Sequence, residues 1–261
     1  MAPMKRALAL AALLFTVAVQ AEWRTVAPGV DYQRIARGRI DVHVTRIDLR
    51  HPNTITIATD EDERGLTVSD FARKTKAVAA INGDYFDPQL NPIGRSVGAC
   101  GLWWKGTKVQ RRQGFVAVGR GRAWIQRNTQ KIHRWMRGGV SGWPMLVEDC
   151  RGLANLPGSD SFTRAPHPRT AVATSKDGRT LYFVVADGRR PDAPGMTLPE
   201  LADFLVTELG VCSAMNLDGG GSSAMWVGGA IVNRPSDGTE RKVGNHLAVV
   251  SAADYEGCER K

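Results

Sequence analysis

The chain has 261 residues, of which 43% are hydrophobic and 23% charged, with a formal net charge of +9 at pH 7. Those proportions are ordinary for a folded protein, and the length supports a core that needs neither metal nor disulfide to hold it. The positive charge does not mark a nucleic-acid binder, because the arginines are scattered and the densest cluster is only Arg111-Arg112-Gln113. It fits a mild preference for acidic glycans, phosphates or an anionic envelope, or simple solubility.

Residues 1–21 read as a secretory signal peptide. Lys5 and Arg6 form a basic start, an apolar run follows from Ala7 to Val19, and small Ala21 suits cleavage before Glu22. The run is short for a membrane anchor, which is the rival reading, and nothing after it could cross a bilayer as a helix. The expected location is therefore periplasmic or secreted, with no transmembrane span after processing. Cys100, Cys150, Cys212 and Cys258 lack CxxC spacing, which argues against zinc. An even number in an exported chain favours two disulfides. Of the three pairings, nearness in sequence favours Cys100–Cys150 with Cys212–Cys258.

Residues 40–49 and 53–59 alternate and are rich in β-branched side chains, so they read as strands joined by a His51-Pro52-Asn53 hairpin turn. Thr67 with Asp70 is a capping signal for a short helix ending at Lys76. Residues 77–82 are a buried-strand run. The stretch 101–148 is strand-like throughout, including 139–148 as one piece, and the Pro-containing segment 156–169 reads as an exposed loop. Residues 170–187 form a hairpin around Asp177-Gly178. The clearest helix starts at Thr197, has Pro199 and Glu200 in its first turn, and stops at Gly210. A buried strand over 211–218, a hairpin closed by Gly228-Gly229, and a final strand from His246 complete the pattern. This is an α+β protein: one domain, with a mixed, largely antiparallel sheet flanked by helices. Residues 22–65 form its N-terminal β segment and 66–261 its main part.

Three polar clusters each end an apolar strand, where rigid scaffolds place functional groups. They are Asn82-Gly83-Asp84-Tyr85-Phe86, Asp187-Gly188-Arg189-Arg190, and Asn216-Leu217-Asp218 followed by Gly219, Gly220, Gly221, Ser222 and Ser223. A run without Cβ lets backbone N–H groups turn inward together, which suits an anion such as phosphate, with two serine hydroxyls as further donors. The alternative is a tight turn. No Lys follows the glycines and no GxSxG is present, so neither a P-loop nor a nucleophile elbow is matched. Asp84, Asp187 and Asp218 are candidate acid–base carboxylates, against the alternative of Asp-Gly turn formation. Arg169 offers a planar fork for phosphate, against the alternative of a surface charge. His246 reads as structural. Trp143 and Trp226 are candidates for stacking on a sugar. No cofactor is expected; clustered Asp and Asn could hold a hard divalent ion, but no EF-hand ligand string exists.

Together these pieces resemble the phosphodiester glycosidase family, whose animal members include an N-acetylglucosamine-1-phosphodiester α-N-acetylglucosaminidase. The matching stretches are 81–86, 141–150, 168–173, 184–189, 197–205, 215–227 and 233–250, in the family's order. The resemblance implies an exported hydrolase that cleaves the glycosidic C–O bond of a sugar-1-phosphodiester or phosphoglycan. It puts Asn82, Arg169, Asp187, Asp218, Gly219, Gly220, Gly221, Ser222 and Ser223 in the site, with Asn233, Arg234 and Arg241 nearby. Asn216 opens the same motif. Asp84 stands where the family usually has a second glycine, which ranks it below the other two carboxylates. The competing functions are a non-catalytic glycan-binding module and a phosphodiesterase that cuts P–O.

Overall fold

The structure, a computed structural model, describes residues 22–106, 114–119, 121–127, 131–255 and 257. The leader, the Arg111-Arg112-Gln113 cluster and Cys258 lie outside the described residues. The α+β, largely antiparallel architecture is observed, with the strands divided among three sheets. The largest runs in the order β1 (Arg24–Ala27), β2 (Val30–Arg37), β3 (Ile40–Asp48), β14 (Thr180–Ala186), β13 (Arg169–Thr174), β15 (Ser213–Asn216), β11 (Met145–Glu148) and β12 (Arg151–Gly152). The second is β7 (Gly101–Trp104), β6 (Ser96–Gly98), β10 (Gly138–Gly142), β8 (Gly114–Gly119) and β9 (Arg122–Arg127). The third is β17 (Ala230–Ile231), β16 (Met225–Val227), β5 (Ala77–Asn82), β18 (His246–Ser251) and β4 (Thr54–Ala58). One apolar cluster joins all three: Ile47, Phe183 and Met215 meet Val116 and Val140 from the second sheet and Ile81 from the third.

Among the described residues, three α-helices flank the sheets: α1 (Val68–Lys74), α2 (Asp160–Thr163) and α3 (Leu198–Thr207). Thr67 caps α1 by accepting from Asp70 N–H. Thr197 and Glu200 form the reciprocal capping box of α3. Leu198, Leu201 and Leu205 of α3 are fully buried against the large sheet, where each gains about 1.5–3 kcal/mol by leaving water.

Three sequence expectations need correction. His51-Pro52-Asn53 is a turn but not a hairpin: β3 pairs with β2 and β14, whereas β4 pairs with β18 in another sheet. Residues 139–148 are two strands in two sheets, split at Trp143-Pro144, because proline has no N–H for a ladder. The segment expected as an exposed loop contains α2, capped by Ser159.

The disulfide pairing is also corrected. Cys150 is bonded to Cys212, not to Cys100, and Cys100 is itself disulfide-bonded. Cys150 follows β11 and Cys212 precedes β15, its antiparallel neighbour, so the partners are close across the sheet although distant along the chain. Among the described residues, no helix is long and apolar enough to cross a membrane.

Candidate active site

The ends of β5 and β15 and the start of β13 converge at one edge of the fold. Asn82 closes β5 with its side chain fully buried. Its Nδ2 donates to the Asp218 carbonyl at 2.7 Å, and its Oδ1 accepts from the Thr170 hydroxyl at 2.9 Å and from Ala224 N–H at 3.3 Å. Asp218 N–H donates to the Gly83 carbonyl at 2.9 Å. The third sheet thus clamps the glycine motif carried by the large sheet.

The glycine run differs from the expected open nest. Residues Gly220–Ser222 form one tight 3-10 turn. Gly219 N–H goes to its neighbour Asp218 Oδ1, Gly220 N–H to Pro168 O, Ser222 N–H to Gly219 O and Ser223 N–H to Gly220 O. The glycines serve backbone shape and close approach instead. Gly220 has φ +60°, and a Cβ on Gly221 would collide with the paired ends of Asp237 and Arg241. Ser223 is buried and its Oγ accepts from Thr170 at 3.2 Å. Ser222 Oγ faces the Arg241 guanidinium at 3.5 Å.

The three candidate carboxylates have different surroundings. Asp218 is partly exposed. Burial pushes its pKa up to about 6, against the Ser222 hydroxyl, the Gly219 N–H and the Arg241 charge, which hold it down. Asp84 is fully buried, with Oδ2 accepting from Gly94 N–H at 2.6 Å and Oδ1 from Tyr85 N–H at 2.8 Å. Burial pushes it up to about 7 despite those donors, and the Asp218 charge adds to the rise.

Asp187 is buried and fully engaged. It accepts from Arg190 Nη1 at 2.7 Å, from Asn233 Nδ2 at 3.1 Å and from Arg234 N–H at 3.0 Å. Asp218 is thus the candidate carboxylate with a side open to a ligand.

Asp187 belongs to a network that sequence reasoning missed. Asp41 and His43 on β3 bring ligand-type atoms within 4.8 Å of it, a set that could coordinate a metal. Two guanidiniums already occupy this set: Arg34 holds both oxygens of Asp41 at 2.8 and 2.9 Å, and Arg190 bridges Asp41 and Asp187. Arg34 hydrogen bonding holds Asp41 down at about 2, and burial lowers His43. The donor set is already held in an ion-pair network with Arg34 and Arg190, and Asp192 also pairs with Arg190.

Arg169 is buried, with Nε donating to Met196 O at 2.8 Å and Nη2 to Phe162 O at 2.7 Å and Ala165 O at 3.1 Å. It is not a surface charge, and most of its fork is spent on main-chain carbonyls. It has no carboxylate partner among the described residues, and burial pushes it down to about 10, still cationic at neutral pH.

Beside it, Tyr85 Oη donates to Trp143 O at 3.0 Å and accepts from Asn216 Nδ2 at 2.6 Å. Asn216 Nδ2 also donates to Trp143 O and Leu217 O, and its buried Oδ1 has no partner. Asn233 orders the far side of the turn: it accepts from Met225 N–H at 2.8 Å and donates to Ser223 O at 3.1 Å. The side chains of Arg234 and Arg241 are exposed.

A cavity of about 430 Å³ opens beside the glycine turn, lined in part by Arg189, Arg190, Asn233, Arg234 and Ser236. Arg189 borders the turn itself, since a Cβ on Gly220 would sit 2.9 Å from its Nη2. One further residue escaped the sequence reading, and His246 is structural as expected. Asn245 accepts from Asp84 N–H at 2.7 Å and donates to Ser96 Oγ at 2.5 Å, a role that no pattern around it signals. His246 is fully buried, bonded to Thr59 and stacked on Phe71, and burial lowers it to about 3, so it stays neutral.

The sequence profile of the phosphodiester glycosidase family matches residues 75–250. The chain belongs to this family. It is similar to the bovine N-acetylglucosamine-1-phosphodiester α-N-acetylglucosaminidase, 26% identical over 200 residues, which is 67% of this chain and 36% of that protein. It is also 40% identical over 104 residues to a prophage-derived uncharacterized protein of Bacillus subtilis, covering 40% of this chain and 16% of that one. The chain therefore spans little more than a third, at most, of these two relatives. The zebrafish α-N-acetylglucosaminidase catalytic domain, described as auto-inhibited by its pro-peptide, shares the fold with a TM-score of 0.68. That match has 20% identity and covers 88% of this chain and 87% of that one. A hypothetical protein from Synechocystis matches at a TM-score of 0.64 and 18% identity, over 90% of this chain and 64% of that one.

Proposed function

We propose that the protein is a glycosidase that hydrolyses a sugar-1-phosphodiester at the glycosidic C–O bond, releasing the free sugar and a phosphomonoester. The observation that carries the reading is Asp218. It is a partly exposed carboxylate with a raised pKa, at the head of a turn bordered by Arg189 and Arg241. In the reaction, Asp218 takes a proton from water, the water oxygen bonds to the anomeric carbon, and the bond from that carbon to the phosphate oxygen breaks. Phosphate is already a good leaving group, so anion binding does the work that a strong general acid does in other glycosidases. Arg189, Arg234 and Arg241, offset in part by Asp237, which pairs with Arg189 and Arg241, supply that positive field, and the step is written without a metal. The reading includes export to an oxidising compartment, periplasmic or extracellular, which the Cys150–Cys212 disulfide favours.

Hydrolysis in heavy-oxygen water tests the bond that breaks. An α-N-acetylglucosaminyl-1-phosphodiester, the linkage named for the bovine relative, heads the substrate panel. Label is expected in the sugar; label in the phosphate means that P–O is cut, and binding without turnover across the panel leaves only a binding module.

The pH profile gives a second expectation. Asp218 must be ionised to take a proton, so kcat should rise with pH through about 6. Above about 7, Asp84 ionises and adds a buried negative charge that opposes the anionic substrate. Hence kcat/KM should fall there through KM. A kcat that is flat from pH 5 to pH 7, by steady-state assay, would remove Asp218 from the role of base.

A further inference from the structure

We propose that the indole of Trp143 is the platform on which the sugar ring stacks, an assignment that rests on the glycosidase reading above. The main chain of Trp143 is part of the site, because its carbonyl accepts from both Tyr85 Oη and Asn216 Nδ2. Tyr85 in turn lies within electrostatic reach of Asp84, Asp218 and Arg169. The Trp143 main chain is thus one hydrogen bond from a tyrosine that senses both carboxylates.

Its position is fixed from behind. The ring stacks on Phe162 at 5.2 Å between centroids and 22° between planes. Gly158, with φ +130°, lets the α2 loop close on this pair: a Cβ there would lie 2.7 Å from Phe162 Cδ1 and 3.4 Å from Trp143 Cη2. Beneath Phe162 lies the Arg169 guanidinium, 5.4 Å from the ring centroid and bonded to the Phe162 carbonyl. Arg169 is thus a positioning residue for the aromatic wall.

Two further features of Trp143, shared with Trp23, Trp124 and Trp135, suit a ligand surface. Trp103, Trp104 and Trp226 each donate their indole N–H to a main-chain carbonyl. Trp226 is also 6% exposed and packed into the core beneath α1. Trp143 stays partly exposed, and its indole N–H makes no hydrogen bond among the described residues. A pyranose offers an apolar C–H face and a rim of hydroxyls. A backed aromatic ring with a free N–H at its edge complements both. The substrate then lies with its sugar against Trp143 and its phosphate toward the arginine-lined cavity, with Asp218 between them.

The test uses the mature full chain, labelled with ¹⁵N on its indoles, and a panel of free pyranoses that includes N-acetylglucosamine. The Trp143 indole N–H resonance is identified by its loss in Trp143→Phe. At least one sugar is expected to shift that resonance in the wild type, whereas inorganic phosphate leaves it in place. In kinetics, Trp143→Ala is expected to raise KM about tenfold or more with a smaller change in kcat, and Trp143→Phe to recover part of the loss. If no sugar moves the resonance, or if folded Trp143→Ala keeps its KM, the platform assignment is overturned. The resonance is read on wild type, so a variant that fails to fold does not block the test. A sugar-dependent shift without any phosphodiester turnover would keep the platform and remove the hydrolase reading. Turnover with Trp143 silent would do the reverse.

Discussion

Replacing Asp218 by asparagine is expected to lower kcat by about 10²–10⁴-fold, the range for removing general acid–base help, with substrate affinity largely kept. The amide preserves the size of the side chain and leaves an oxygen for the Gly219 N–H, which Asp218 Oδ1 accepts at 2.9 Å. It cannot take a proton. Neither of the other candidate carboxylates is placed to substitute. Asp84 is fully buried with both oxygens on backbone N–H groups, and Asp187 is surrounded by Arg190, Asn233 and the Arg234 N–H. Steady-state kinetics with calorimetric binding separates the two effects. A folded variant that turns over near the wild-type rate would make Asp218 a turn residue.

What the sequence made legible is local. The α3 helix announces itself through Thr197, Pro199, Glu200 and its apolar face, all within one element. The β13–β14 hairpin follows from alternation around Asp177-Gly178, and its strands pair in register from Arg169–Ala186 to Thr174–Leu181. What the sequence hid is partner choice. β3 and β4 look like a hairpin because strand signals lie on either side of a turn, yet the partner of each strand is more than a hundred residues away on the other side. The cysteines repeat the lesson, since Cys150 and Cys212 are neighbours only through the β11–β15 pairing.

The site divides in the same way. Strand ends rich in Asp, Asn and Gly, singled out in the sequence, come together at one edge of the fold. The roles depended on contacts that no spacing encodes. Asp41 and His43 sit mid-strand in an alternating pattern, and only the folded sheet sets them beside Asp187 and Arg190. The glycine run read as an anion nest because it lacks Cβ atoms. The same absence equally serves a tight turn beneath the Asp237–Arg241 pair, and sequence offers no way to choose between them.

The Arg169→Lys variant is expected to fail on two counts, stability and affinity. The arginine reaches three carbonyls from two nitrogens, with Met196 on one side and Phe162 and Ala165 on the other. A lysine carries its donors on one atom and cannot span both sides. Met196 O keeps the His167 N–H, while the partly buried Phe162 and Ala165 carbonyls lose their donor, at a cost of about 1–3 kcal/mol in all. For a domain of this size, the loss should lower Tm by roughly 2–12 °C. The affinity effect follows from geometry: once the Phe162 carbonyl is released, the ring that backs Trp143 loses its support. The Arg169 Nη1 donors, which make no hydrogen bond among the described residues, are lost as well. Well below its melting point, the variant should show a raised KM with a smaller loss in kcat. Thermal melts and kinetics on the same preparation read both effects. A raised KM with an unchanged Tm would mean that Arg169 acts on the substrate anion alone, as the sequence first suggested. A lowered Tm with unchanged KM would confine it to the scaffold. The structure requires both to move, because the carbonyls that Arg169 holds belong to the loop that supports the aromatic wall.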